Sequence, residues 1–161
     1  MEKRYIYDKK RYAVRITGIG CFSILMLLYG IYRLLTGFST IYLALLFICA
    51  YIIFETFLTC ANPNEVIISD KKIIFKDPYH TDSYRWSDIH DFRVKELPNR
   101  KQLYLRINKD QFDLKKGRYW IFCYYFNDCD ELYRFFVDKE IEIHPDGLKA
   151  KARNRVPANK K

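Results

Sequence analysis

The chain has 161 residues and a formal net charge of +9, and hydrophobic residues make up 50% of it while charged residues make up 29%. Roughly the first sixty residues differ from the remainder in charge and hydrophobic pattern, which excludes one uniform soluble domain and predicts two physical units. The five cysteines form an odd set without paired spacing, which argues against a disulfide-stapled secreted scaffold and favours a reducing cytoplasm.

A basic segment opens the chain. Residues 1–15 contain six basic side chains against two acidic ones. With Tyr5, Tyr7 and Tyr12 interleaved, the segment is typical of an arm at a membrane surface, where anionic lipid headgroups attract Lys and Arg. The predicted membrane-surface residues are Lys3, Arg4, Lys9, Lys10, Arg11 and Arg15.

Two uncharged stretches follow, residues 16–32 and 34–54. A helix of about 17 to 21 residues spans roughly 26 to 31 Å, which matches a hydrocarbon core of about 30 Å. The sequence therefore predicts a transmembrane helical hairpin over 16–60, with helices at about 16–35 and 38–60. A buried core helix or a cleaved signal peptide fits less well, because the second stretch follows the first at once.

The flanking charges predict the orientation of this hairpin. Basic residues beside a span are retained in the cytoplasm, so the arm predicts a cytoplasmic N-terminus, and two spans return the chain to the same side. Arg15 and Glu55 lie at similar distances from the predicted turn and form a candidate intramembrane pair. The alternative is that both side chains extend to the interface. The small residues that would let the helices approach closely are Gly18, Gly20, Ser23 and Gly30.

From residue 63 onward the hydrophobic period changes to that of β-strands, after Pro63 ends the second span. Alternation is clearest where Leu103, Leu105 and Ile107 share one face. A turn is expected at 98–100. The predicted strands are 65–69, 72–76, 83–86, 89–97, 101–108, a short piece around Phe112 and Leu114, and 119–126.

One helix and a basic tail complete the chain. Asp128, followed three residues later by Glu131, indicates a capping box that opens a helix through Lys139. Its apolar stripe is Leu132, Phe135 and Phe136. Residues 144–161 are predicted to be a flexible basic tail, because they lack apolar periodicity. The tail also lacks aromatic residues for base stacking, so nucleic acid is not an expected partner.

This order of elements over residues 63–143 resembles the pleckstrin-homology-like (PH-like) superfold, a bent antiparallel barrel or sandwich closed by a C-terminal helix. The resemblance rests on the paired strands Val66-Ile-Ile-Ser and Lys72-Ile-Ile-Phe, the segment Tyr84-Arg-Trp-Ser-Asp-Ile, and the terminal helix. With two preceding spans, the chain resembles small bacterial membrane proteins of the YcxB-like family. The resemblance implies an α+β, multi-pass protein of the bacterial inner membrane with a PH-like domain in the cytoplasm.

No catalytic, cofactor-binding or metal-binding residues are predicted. The sequence has no Gly-rich phosphate loop, no GxSxG elbow and no HExxH pair, and His80, His90 and His144 lack neighbours at zinc-ligand spacing. Eukaryotic PH domains cluster basic residues in the first hairpin loop, whereas only the turn at 70–72 is basic here, so phosphoinositide binding is not inferred. The candidate partner contacts are Lys71, Lys72, Arg85 and Arg93.

These features predict a non-enzymatic, membrane-anchored interaction module that contacts anionic lipids and a protein partner. Two alternatives stay open. The chain could be an immunity protein that neutralises an interbacterial toxin, or a subunit of a larger membrane complex. Fold analogy does not choose among the three, and a homo-oligomer is also compatible with the sequence.

Overall fold

A computed structural model describes residues 2–37, 39–97, 101–108 and 116–155 of the chain. The architecture is α+β: one strand and a pair of helices are followed by the other strands of two antiparallel sheets. A further helix follows the last strand. Both N-terminal helices are long and apolar enough to cross a membrane. This coarse architecture confirms the predicted helix pair followed by an antiparallel β domain.

The first helix, α1 (Lys9–Thr36), has 28 residues, and the second, α2 (Thr40–Leu58), has 19. At ~1.5 Å per residue they are about 42 and 28 Å long, so α2 matches a hydrocarbon core and α1 exceeds it by roughly two turns. The helix α1 begins earlier than predicted because the Asp8 side chain caps it, accepting a hydrogen bond from the backbone N–H of Arg11 at 2.9 Å.

The first sheet contains a strand that precedes the helix pair. The expectation that residues 1–15 form a separate arm is corrected here, because residues 2–6 pair with the strand that follows α2. Tyr5 lies opposite Val66 in this antiparallel ladder, and both side chains are buried. The sheet has the order β1-β2-β3-β4, formed by β1 (Glu2–Ile6), β2 (Glu65–Ser69), β3 (Lys72–Lys76) and β4 (Thr81–Arg85).

The second sheet has three antiparallel strands in the order β5-β6-β7. The two sheets meet at one corner through a bridge between Tyr7 and Phe126, and the described residues do not form a closed barrel. The expectation of a closed barrel therefore has no support in the described residues. The strands are β5 (Phe92–Leu97), β6 (Gln102–Ile107) and β7 (Arg118–Phe122).

The core lies between the sheets and the helix α3 (Cys129–Ile143). Phe75 stacks on Tyr119 with ring centroids 4.0 Å apart, and Phe136 of α3 lies against Phe75. Leu132 and Phe136 are fully buried, as the predicted apolar stripe requires. Tyr5, Tyr7, Tyr12 and Ile16 belong to the same core cluster, so the base of α1 packs into the β domain.

Two predictions about the C-terminal part are wrong. Asp128 takes a left-handed conformation with φ of 52° and its side chain caps nothing, so the capping box does not form. Residues of the predicted flexible tail form the helix α4 (Leu148–Arg155), because Lys149 bonds to Glu96 and Glu140 while Ala150 is buried.

The remaining strand predictions differ in detail from the structure. The predicted strands at 65–69 and 72–76 are confirmed. The strand predicted at 119–126 ends at Phe122, because a short 3-10 turn follows at Cys123–Tyr125. The turn predicted at 98–100 and the piece around Phe112 and Leu114 lie outside the described residues.

Candidate membrane interface and basic groove

The helix pair carries large apolar side chains on its outside. Phe22 is 61% exposed, Leu25 65% and Phe47 71%, and all three lie on the two helices. A monomeric soluble protein rarely exposes a contiguous apolar surface of this extent. The same arrangement is expected where lipid chains cover the helices. The other exposed apolar residues include Ile19, Leu28, Ile31, Tyr32, Leu35, Ile41 and Ile48.

The two helices contact each other through small residues on α1. Gly20 and Gly30 are buried, and a Cβ atom built on Gly20 would lie 2.6 Å from Cγ2 of Thr56 in α2. Ser23 is buried between them and donates its hydroxyl to the carbonyl of Ile19 at 2.9 Å. Gly18 does not take part, because it is exposed and a Cβ there would meet only the backbone of Ala13.

Two of the predicted membrane-surface residues, Lys3 and Arg4, lie on the β domain. Lys3 forms an ion pair with Glu131 of α3, and Arg4 lies between Glu2 at 3.4 Å and Glu65 at 3.9 Å. The hydrogen bond from Lys3 lowers the pKa of the Glu131 carboxyl below its ordinary value. Lys3 and Arg4 therefore stabilise the joint between β1 and its neighbours.

The other predicted membrane-surface residues lie at the base of α1. Lys9 and Lys10 are exposed on its first turn. The Arg11 guanidinium lies over the ring of Tyr125, with its Cζ atom 5.2 Å from the ring centroid. The neighbouring residue Tyr124, whose ring also lies near Arg11, is exposed. Basic and aromatic residues thus meet where α1 enters the β domain, the composition that interfacial belts show.

Arg15 and Glu55 are not brought together. Arg15 donates a hydrogen bond from Nη1 to the Tyr125 hydroxyl at 2.7 Å, and its Cζ atom lies 4.8 Å from the centroid of the Phe122 ring. Glu55 instead accepts a hydrogen bond from Tyr51, one turn away on α2. Among the ion pairs of the described residues, none joins Arg15 to Glu55, so the proposed intramembrane pair lacks structural support.

Three of the four candidate partner contacts line one groove. Lys71, Lys72 and Arg85 lie around an open depression of about 910 Å³ at the end of β2, β3 and β4. Lys72 and Arg85 are directly opposite each other in the ladder. Arg93 lies elsewhere, on β5, where its Nε atom is 3.0 Å from Asp91. We call the depression lined by Lys71, Lys72, Arg85, Trp86 and Ser87 the distal groove.

The distal groove lies away from the helices. The ladder places Ile6, which leads into α1, opposite Glu65, and it places Glu2 opposite Ser69 at the other end. Four residues of strand separate these ends by about 13 Å. Trp86 is fixed in the groove because its indole N–H donates to the carbonyl of Ser69 at 2.9 Å.

A buried polar cluster crosses from the first sheet to the second. Tyr119 donates its hydroxyl to Oδ2 of Asp82 at 2.8 Å, and the hydroxyls of Tyr84 and Tyr119 are 2.7 Å apart. Burial raises the pKa of Asp82, and the hydrogen bond from Tyr119 offsets this only in part. Burial also raises the pKa of the Tyr119 hydroxyl. Every polar atom in this chain of bonds has a partner, which is typical of a structural role.

Metal ligation has no candidate in the described part of the chain. No group of three or more His, Cys, Asp or Glu side chains among these residues is arranged to hold a metal ion. Burial raises the pKa of the Cys123 thiol to about 12. A thiol of that kind is a weak nucleophile near neutral pH.

The residues that join β1 to the rest of the domain were not predicted from the sequence. Asn127 is the clearest, because its backbone N–H donates to the carbonyl of Ile6 at 3.1 Å while its side-chain oxygen accepts from the N–H of Ile6. The alternation of Tyr5 and Tyr7 with Arg4 and Ile6 was the signal for a strand, because alternate residues share one face. The surrounding basic charge masked that signal.

Comparison of the chain with protein-family models, with curated protein sequences and with solved structures finds no match. The resemblance to the YcxB-like family therefore stays a prediction.

Proposed function

We propose that the chain is a non-enzymatic, membrane-anchored interaction module, in which α1 and α2 hold a PH-like β domain at the cytoplasmic face of a bacterial inner membrane. The observation that carries this proposal is the pairing of β1 with β2 across the helix pair. Strand pairing requires both strands on the same side of a bilayer, so the chain between them crosses it an even number of times.

The arrangement of the β domain supports the PH-like part of the proposal. Sheets of four and three antiparallel strands pack around one core, and the C-terminal helix α3 covers it. The first strand, β1, comes from before the helix pair, so the hairpin is an insertion between the first two strands of the domain. Such an insertion fixes the domain close to the membrane by two covalent connections.

The charges at the base of α1 support a cytoplasmic orientation. Lys9, Lys10 and Arg11 are in the first turn of the helix, before the uncharged stretch begins. Basic residues so close to a span are retained on the cytoplasmic side. At the opposite end of the helix pair, the competing basic residue is Arg33, in the last turn of α1.

The distal groove supports a soluble protein partner. In this orientation it faces the cytoplasm, about 13 Å along the strands from the helix base. Lys71, Lys72 and Arg85 are exposed around the immobilised ring of Trp86. Glu2 and Asp70 line the same groove, so its three cations exceed its carboxylates by one. A fixed aromatic ring beside cations is the combination found at binding hot spots, and the excess positive charge fits a partner segment that carries carboxylates.

A site-specific crosslink tests the proposed function in cells. A photoreactive amino acid at position 87, in the groove, is expected to yield a defined protein adduct, which the double variant Lys72→Glu, Arg85→Glu abolishes. Placed at exposed position 134 on α3, the same reagent is the matched control. Absence of an adduct at 87, or the same adduct at both positions, contradicts the groove as a partner site. Release of the chain from membranes by alkaline extraction contradicts the anchor.

A further inference from the structure

The outward face of the second sheet combines cations with large aromatic residues. Val94, Leu105 and Tyr119 point into the core, so the residues that alternate with them point outward. The outward positions that matter here are Arg93, Lys95, Tyr104, Arg106, Arg118 and Trp120. We call this set the arginine face.

The arginine face places like charges directly opposite one another. Arg106 is the ladder partner of Arg93 on one side and of Arg118 on the other. Like charges in directly opposed positions destabilise a sheet. Asp91 balances Arg93, with Nε and Oδ1 3.0 Å apart. Among the described residues, none of the ion pairs involves Lys95, Arg106 or Arg118.

The described strands of the second sheet do not neutralise this row of positive charge. The remaining outward positions of the sheet, Leu97, Gln102 and Phe122, carry no charge that could offset it. Such a cationic row is complementary to an anionic surface. Guanidinium groups bind phosphate through two parallel hydrogen bonds, so a phosphate-rich surface fits them particularly well.

The arginine face lies beside the base of the helix pair. The backbone N–H of Trp120 donates to the carbonyl of Ala61, just after α2, at 2.7 Å. Tyr104 and Trp120 lie together, with ring centroids 4.5 Å apart. Aromatic residues at this position are typical of the membrane–water interface.

We infer that the arginine face is seated on the anionic phospholipid headgroups of the bilayer that holds α1 and α2. This inference rests on the proposed membrane anchor and adds a second contact surface to it, separate from the basic first turn of α1. Because α1 shares the core of the β domain, the face is held at the surface rather than reaching it by diffusion. Each cation near an anionic surface contributes about a fivefold preference for anionic lipid.

Fluorescence quenching of the two tryptophans tests this inference on the full chain. The protein is reconstituted in nanodiscs of phosphatidylcholine that contain phosphatidylglycerol or phosphatidylcholine spin-labelled at the same acyl position. Trp86→Phe leaves Trp120 as the reporter on the arginine face, and Trp120→Phe leaves Trp86 as the reporter in the distal groove. Trp120 is expected to be quenched more by labelled phosphatidylglycerol than by labelled phosphatidylcholine, and Trp86 equally little by both.

Two triple variants distinguish a specific effect of the arginine face from a general loss of positive charge. Lys95→Gln, Arg106→Gln, Arg118→Gln is expected to abolish the lipid preference of Trp120, a loss of up to about 100-fold if the three contributions multiply. These changes relieve repulsion, so the fold is expected to persist. Lys71→Gln, Lys72→Gln, Arg85→Gln removes the same charge from the distal groove and is expected to leave the preference intact.

The outcomes distinguish failure of the inference from failure of the proposed function. Equal quenching of Trp120 by the two lipids, or equal losses in both triple variants, overturns the lipid contact while the anchor stands. Absence of quenching by either lipid, in protein that resists alkaline extraction, also overturns it and makes an acidic protein segment the better occupant. Protein that does not enter nanodiscs contradicts the anchor and the inference together.

Discussion

The backbone of Tyr5 pairs with that of Val66 in an antiparallel ladder, although the whole helix pair lies between them in the chain. Both side chains are at most 2% exposed, so the pair is part of the domain core. This one relationship ties the N-terminus to the β domain. It also constrains topology, because both helices cross the bilayer or neither does.

The first prediction concerns the close packing of α1 against α2 at Gly20. Gly20→Ala introduces a Cβ atom that would lie 2.6 Å from Thr56 and 2.8 Å from Phe57. We expect it to lower the free energy of unfolding by about 1–3 kcal/mol, as overpacking does. Gly37→Ala is the matched control, since a Cβ there meets nothing within 4 Å. Thermal denaturation in detergent measures both, and equal stability of the two variants would refute the contact.

A double-mutant cycle distinguishes the two partners considered for Arg15. Arg15 bonds to the Tyr125 hydroxyl, so Arg15→Met and Tyr125→Phe are expected to be coupled by about 0.5–1.5 kcal/mol. Arg15→Met and Glu55→Gln are expected to be additive within about 0.5 kcal/mol. Strong coupling of Arg15 to Glu55, measured by denaturation in detergent, would restore the candidate intramembrane pair.

The buried carboxyl of Asp82 predicts a specific pH dependence. Burial raises its pKa in the folded protein, although the Tyr119 hydrogen bond and Lys116 oppose the shift. A carboxyl with a raised folded pKa contributes stability that is full below its unfolded pKa of about 4 and is lost as pH rises through the folded value. Asp82→Asn is therefore expected to have a higher Tm than the wild type at neutral pH and to lose that advantage in acid.

Melting curves across this pH range check the sign of the Asp82 effect. Asp88→Asn, an exposed carboxyl on the turn after β4, is the control and is expected to change little. If Asp82→Asn is less stable than the wild type at every pH, the hydrogen bond from Tyr119 outweighs the burial of the charge.

The docking of α4 depends on Lys149. Its Nζ atom is 2.9 Å from Glu96 and 2.6 Å from Glu140. Partial burial would raise the pKa of Glu96, but the hydrogen bonds from Tyr133 and Lys149 lower it overall. A depressed carboxyl pKa contributes stability above the unfolded value of about 4 and loses it as pH falls through the folded value. We therefore expect acid to undock α4 before the sheets unfold.

Hydrogen exchange of the α4 amides measures this undocking. Lys149→Met is expected to accelerate exchange at residues 148–151 at neutral pH, while exchange in β6 is unchanged. Lys151→Met, on the same helix and exposed, is the matched control. Equal protection of α4 in the wild type and in Lys149→Met would show that Ala150 and its apolar neighbours hold the helix without the ion pairs.

Local patterns predicted most of the elements, because hydrophobic period and chain punctuation are local. The strands at 65–69 and 72–76 follow from short apolar runs separated by a tight turn. The strand β1 could not be recognised in this way. Its partner is more than fifty residues away, and its charges have their counterparts on Glu131 and Glu65, which only the folded chain brings close.

The same distinction applies to the candidate sites. Lys71 and Lys72 were recognisable as a basic turn, and Arg85 joins them because β3 and β4 pair. Arg93 was grouped with them as a cation near Trp86 in the sequence, whereas the structure places it in register with Arg106 and Arg118 on the other sheet. Register between strands decides which charges meet, and a single sequence fixes register only weakly where the outward face is polar.

Cysteine accessibility in intact cells tests the central claim most directly. In a chain whose five cysteines are replaced, single cysteines are placed at position 37, between α1 and α2, and at position 71, in the distal groove. A membrane-impermeant reagent is expected to label position 37 in intact cells and position 71 only after lysis. Labelling of position 71 in intact cells would contradict the cytoplasmic domain, and labelling of both positions only after lysis would contradict the membrane-spanning hairpin.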